Sequence, residues 1–267
     1  MKRLGPLAMT IDRLLGRRRW IVAFLLGIVL GVLTAVTIPP DWRSRANEWD
    51  VIFGVLNSPF ISMVILSPMF FAISVDIAIR DITEWGPLLL VRTGTRNYWW
   101  TTKLIGIGMA GISYGIVVLG ATWMVSFASV SIRGGWGPLA GVPGSPTWFA
   151  AQGHASAELS LLLLAALFIS GLIAAGQIGA TLAMLFRSST LAWTILSTVA
   201  LLSYGAWRIQ PRLAPWLLGG QLLLVTHAPY NPSAPTAFTA AWSFGADGLL
   251  WLLATLVGWR RACTMSI

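Results

Sequence analysis

The sequence predicts an all-α, polytopic membrane protein: one transmembrane domain over residues 1–267, built from six transmembrane helices. An N-terminal amphipathic helix is expected before the first of them, and a re-entrant outer segment before the last. Three observations predict this. The chain is 56% hydrophobic and only 10% charged, whereas a soluble domain carries about a quarter charged residues. That excess of apolar side chains is more than one water-soluble core can hide, so it must face lipid. The apolar residues also come in long runs, and a helix rising 1.5 Å per residue needs about 20 of them to cross roughly 30 Å of hydrocarbon. Finally, the 18 Lys and Arg residues sit in short clusters between the runs, as the positive-inside rule expects.

The net charge of +9 does not indicate nucleic-acid binding, because the basic residues form no stripe or patch on a polar domain. One cysteine, Cys263, rules out an intrachain disulfide framework and a cysteine-based metal cluster. The alternating period of an outer-membrane barrel is absent.

The elements follow in order. Residues 5–19, GPLAMTIDRLLGRRR, set Leu7, Ile11, Leu14 and Leu15 on one side of a helix that would lie in the headgroup plane; a disordered basic anchor is the alternative. The apolar run that follows is too long for the h-region of a cleaved signal peptide and has no small-residue cleavage site, so it reads as a retained first span. Spans are placed at 20–39, 51–79, 104–132, 159–186, 190–207 and 241–259. The second and third are long enough to tilt or to extend past the bilayer, and Pro59 and Pro68 would kink the second. The loop of residues 133–158, rich in Gly, Pro and Trp, is expected outside. Within residues 208–240, the apolar piece Ala214 to Thr226 is too short to span and reads as a re-entrant or interfacial helix.

With the N-terminus inside, 13 basic residues lie on the cytoplasmic side and 5 (Arg43, Arg45, Arg133, Arg208 and Arg212) outside. Both termini are therefore expected in the cytoplasm. A seventh crossing at Ala214–Thr226 would move Arg260 and Arg261 outside, against that bias.

Much chemistry is missing. A P-loop needs Lys directly before Ser or Thr, yet Lys2 precedes Arg3 and Lys103 precedes Leu104. The two histidines, His154 and His227, fall in the outer loops without metal-ligand spacing. Ser170–Gly171 in the fourth span has no histidine within a span to act as its base. Catalytic, cofactor-binding and metal-ligating residues are therefore expected to be absent.

The segment of residues 80–103, RDITEWGPLLLVRTGTRNYWWTTK, is read as a cytoplasmic loop. It mixes acids, bases, the apolar stretch Leu88 to Val91 and the aromatics Trp85, Tyr98, Trp99 and Trp100. Trp, Tyr and Arg dominate interface hot spots, so a docking element is one reading. An interfacial belt, with Trp99 and Trp100 at the headgroups and Lys103 snorkelling, is the other.

The stretch EWGPLLLVRTGTRNYWWTTKLIGI, together with the six-span layout, resembles the permease subunits of bacterial ABC-2-type transporters. The resemblance implies an exporter subunit in the plasma membrane whose loop between the second and third spans docks on a separate nucleotide-binding ATPase subunit. It would make Asp81, Glu84, Trp85, Gly86, Pro87, Arg92, Thr93, Gly94 and Arg96 the coupling segment. ATP and Mg would be held by the partner subunit rather than by this chain. The permease would act as a homodimer or heterodimer in membrane lipid, on an amphipathic peptide, antibiotic or lipid. A non-transporting immunity or sensor protein, binding a peptide or lipid at its outer loops, is the alternative.

Small residues allow close helix approach in lipid. Gly27, Gly31 and Ala35 form one ladder, and Gly171, Ala175, Gly179 and Ala183 another. Each serves either packing within the subunit or a dimer seam. Asp247 lies well inside the last span, where a buried acid is costly enough to suggest function; Gln177 and Tyr204 are its candidate partners, a protonated state being the other option. An ion-coupled transporter would use this acid, although no inverted repeat accompanies it. Asp76 and Arg80, four apart, read as a local pair.

Overall fold

The computed structural model describes residues 17–84 and 95–264, with only the backbone described for residues 17 and 76–84. The amphipathic segment, apart from its last three residues, lies outside the described residues. So do Trp85, Gly86, Pro87, Arg92, Thr93 and Gly94, and the side chains of Asp76, Arg80, Asp81 and Glu84.

The described residues are helical, with no strand beyond an isolated bridge between Asn47 and Ser131. Among the described residues, five helices are long and apolar enough to cross a membrane. They are α1 (Arg17–Thr37), α5 (Arg96–Ser129), α7 (Ala157–Phe186), α8 (Ser189–Ile209) and α9 (Ala240–Thr264). The crossing expected over residues 51–79 is a bent pair, and counting that pair as one span raises the number to six. Its halves are α3 (Glu48–Leu56) and Phe60–Val75, in which a π-helical segment, Phe60–Leu66, runs into α4 (Ser67–Glu84). The bend is 57°. Short α2 (Pro40–Arg43) and α6 (Pro146–Ala151) complete the α-helices among the described residues.

The bend has a local cause and a non-local support. Pro59 and Pro68 lack the N–H that would continue a regular ladder. The displaced backbone groups then find side chains, as apolar surroundings require. Ser62 Oγ donates to the Leu56 carbonyl at 2.7 Å, Tyr114 Oη to that of Leu66 at 2.9 Å and Trp193 Nε1 to that of Pro68 at 2.9 Å. Asn57, at the break, donates to the Pro146 carbonyl and accepts from the Val225 amide.

Helix α7 is the centre of the bundle, with α4, α5, α8 and α9 all packed against it. Helix α1 rests mainly on α5. Several of these approaches are close because a glycine stands at the crossing. A Cβ added at Gly27 would come within 2.8 Å of Ala121 Cβ, and one at Gly179 within 2.6 Å of Leu196 and 2.7 Å of Val75.

Two segments differ from expectation. Of residues 80–103, read as a loop, residues 80–84 finish α4 and residues 96–103 already belong to α5. Ala214 to Thr226 is not one continuous helix. It is broken into short 3₁₀ turns, Pro211–Trp216, Gly219–Leu222 and Leu224–Thr226, because Pro215 and the Gly219–Gly220 pair interrupt any α-helical ladder. With residues 131–155, these turns form a cap over one end of the bundle. At the cap, Asn47 and Asp50 close a capping box on α3.

Candidate functional site

Two regions gather the residues singled out from the sequence. The first is the bundle end opposite the cap, where the described part of the coupling segment sits. Arg96 opens α5, and its Nη1 donates to the Cys263 carbonyl of α9 at 2.5 Å. Asn97 Oδ1 accepts from Trp259 Nε1 at 2.8 Å, and Trp100 Nε1 donates to the Thr255 carbonyl at 3.1 Å. The Trp100 ring, 1% exposed, lies where a side chain at Gly258 would otherwise stand.

In this arrangement the aromatic side chains pack inside the protein. Trp99, Trp100 and Lys103 are all buried, and the Lys103 ammonium sits 5.9 Å from the Trp99 ring centroid. Trp99 and Trp100, packed with Ala262, help clamp the start of α5 to the end of α9. Asn97, Thr255 and Trp259 were not foreseen, because no local pattern links residues about 160 positions apart.

The second region runs along the α7–α9 interface. Asp247 is 3% exposed, and its Oδ2 accepts from Ser170 Oγ at 2.8 Å. Its Oδ1 is buried with no hydrogen-bond partner among the described residues. Neither expected partner serves it. Gln177 Oε1 accepts instead from Thr255 Oγ1 at 3.3 Å, and the Tyr204 ring packs edge-on against Phe60.

Nearer the cap, His227 is fully buried and stacked on Phe238 at 4.1 Å between centroids. Its Nδ1 lies 2.5 Å from the Leu223 carbonyl and its Nε2 2.5 Å from Ser243 Oγ. Ser243 donates in turn to Gln221 Oε1 at 2.5 Å. Burial pushes the imidazole down to about 4, against the opposing pull of the Leu223 carbonyl. A serine beside a histidine has the form of a nucleophile and its base. Here both are sealed from solvent and the serine proton is directed to Gln221, so the chain of bonds ties the cap to α9. His154 sits apart, at a turn with φ 54°. No group of three or more His, Cys, Asp or Glu fit to hold a metal occurs among the described residues.

The glycine ladders are engaged within the subunit. Gly27 and Gly31 abut Ala121 and Val125 of α5, with Ala35 buried further along α1. On α7, Gly171 abuts Leu222 and Gly179 abuts Val75 and Leu196, while Ala175 and Ala183 are buried.

Compared with known proteins, the chain matches no family model and no curated protein.

Proposed function

We propose that the chain is the membrane-spanning permease subunit of an ATP-driven ABC exporter. It would act as a dimer, with its ATPase on a separate chain and an amphipathic peptide, antibiotic or lipid as substrate. The observation that carries this reading is the clamp between α5 and α9. The segment read as the coupling element leads directly into Arg96, Asn97 and Trp100, and these three residues grip Cys263, Trp259 and Thr255 of α9. A push delivered to that segment would therefore move α5 and α9 together, and both border α7 at the bundle centre. A loop without such anchorage would dissipate the same push. ATP and Mg belong to the partner in this reading, in keeping with the missing Walker lysine.

The test is co-purification of the full chain with candidate P-loop ATPases after co-expression. Association should be lost in the triple variant Glu84→Ala, Arg92→Ala, Arg96→Ala. Because Arg96 also holds Cys263, the double variant Glu84→Ala, Arg92→Ala separates docking from damage to the clamp. A folded chain that captures no ATPase, or an association indifferent to both variants, would overturn the reading.

A further inference from the structure

A cleft of about 790 Å³ opens between α8 and α9, within the range of about 300–1,000 Å³ typical of ligand sites. Helix α7 forms its floor through Ile178 and Leu182. Val199 of α8 and Leu249 of α9 stand on its two walls, and Pro215–Leu218 of the cap roof it. We propose that this cleft holds one acyl chain of a membrane amphipath, entering sideways from the leaflet on the cap side. The inference does not rest on the exporter reading, since it concerns lipid contact and not ATP.

Three observations select the occupant. Gln221 reaches the cleft, but its bonds are already made internally. Its Nε2 donates to the Pro215 carbonyl at 2.7 Å and its Oε1 accepts from Ser243. What enters therefore finds no free side-chain amide and must be apolar. The cleft follows α9 from Ala241 to Leu250, about 14 Å at 1.5 Å per residue, or close to half of the roughly 30 Å hydrocarbon thickness. It is thus one leaflet deep. At its mouth Trp216 and Trp242 meet edge to face at 6.1 Å, both exposed, and tryptophan favours the headgroup level.

A helix from a second copy is the rival occupant. Helices approach closely in lipid over small residues; the α9 wall has Ala241, Gly245 and Ala246, but Ile195, Leu196 and Val199 of the facing α8 wall are all branched. The glycines of both ladders are engaged inside the subunit. A flexible chain of methylenes fits such a slot better than a helix some 10 Å across.

The experiment uses the full chain reconstituted in vesicles that contain a phosphatidylglycerol with a mid-chain diazirine. After illumination, labelled residues are mapped by mass spectrometry. Val199 and Leu249 should be labelled several-fold more than Leu25 and Val29, which lie on the exposed face of α1. A Cβ at Gly245 meets nothing within 4 Å, so Gly245→Phe should fill the cleft without a clash at its base. It should bring cleft labelling down to the α1 level and leave α1 labelling unchanged. Ala246→Phe repeats the block from the next position should the first variant misfold. Equal labelling of cleft and α1 in the unaltered chain would mean ordinary solvating lipid and overturn the proposal. So would cross-linking of Leu249→Cys chains to one another with the cleft unlabelled, which would assign the cleft to a second copy.

Discussion

Helices α1 and α7 are of nearly equal hydropathy, yet 56% of the most apolar stretch of α7 is buried inside the protein against 28% for that of α1. In water the more apolar element would go inside. In lipid that gradient vanishes, because the surrounding chains are as apolar as leucine, and position is decided by packing and by polar pairs. Helix α7 presents close-approach positions in several directions. Gly176 abuts Phe70 and Ile107, Gly179 abuts Val75 and Leu196, and Ser170 and Gln177 bond to α9. Helix α1 offers Gly27 and Gly31 on the α5 side only and leaves Leu25, Val29 and Val36 exposed. At nearly equal hydropathy, the centre of the bundle is thus the helix that is small and polar on many faces.

The contrast can be broken at its strongest point with Gly179→Leu. The new side chain meets Val75 and Leu196 from two different helices, and overpacking of this kind should cost about 3 kcal/mol. Thermal unfolding in detergent would show it as a large loss of midpoint. A cost below about 1 kcal/mol would mean that α7 is not the rigid centre.

Acid tests the cap, which rests on α7 through Leu222 against Gly171. His227 is held near 4 when folded and returns to about 6.5 when unfolded. The unfolded state therefore binds the proton first as pH falls. The stability this supplies is complete above about 6.5, declines between 6.5 and 4, and is absent below, amounting to about 3 kcal/mol. His227→Gln should flatten that part of a stability-versus-pH curve. An unchanged slope would remove His227 from the account.

Gly27→Leu should cost less, about 1–2 kcal/mol, because α1 can tilt away from Ala121 into lipid without disturbing α7. Cysteine cross-linking between α1 and α5 should weaken while that between α7 and α9 persists. Ser170→Ala removes the hydroxyl that serves Asp247 and should cost about 1 kcal/mol. In an Asp247→Ala background the same change should cost nearly nothing, and additivity of the two changes would show that the bond contributes no stability. Val29→Leu, on the exposed face of α1, should stay within about 0.5 kcal/mol.

Much was legible in the residues themselves. The helical membrane character followed from composition and run length, and the disturbance of the second span followed from Pro59 and Pro68. The position of Asp247 within an apolar helix marked it in advance. Its partner was not readable, since Ser170 lies 77 positions away and Gln177 was an equally good candidate. Trp99 and Trp100 were ambiguous for a related reason. An indole suits a headgroup belt and a packed interface equally well, and only the glycine at position 258 of a distant helix decides between them. The cap misled more, because Ala214 to Thr226 has helical composition but carries Pro215 and Gly219–Gly220, which divert it into short turns.

By itself, then, the sequence determined that the chain is helical, apolar enough to enter a bilayer and without a P-loop. Those properties are local: each depends on the run length, charge or spacing of neighbours along the chain. Tertiary structure alone decided that α7 lies at the centre, that Asp247 meets Ser170 and that α5 is clamped to α9. It also left a cleft between α8 and α9. These depend on which surfaces fit across long separations, and in lipid no hydropathy gradient announces that fit in advance.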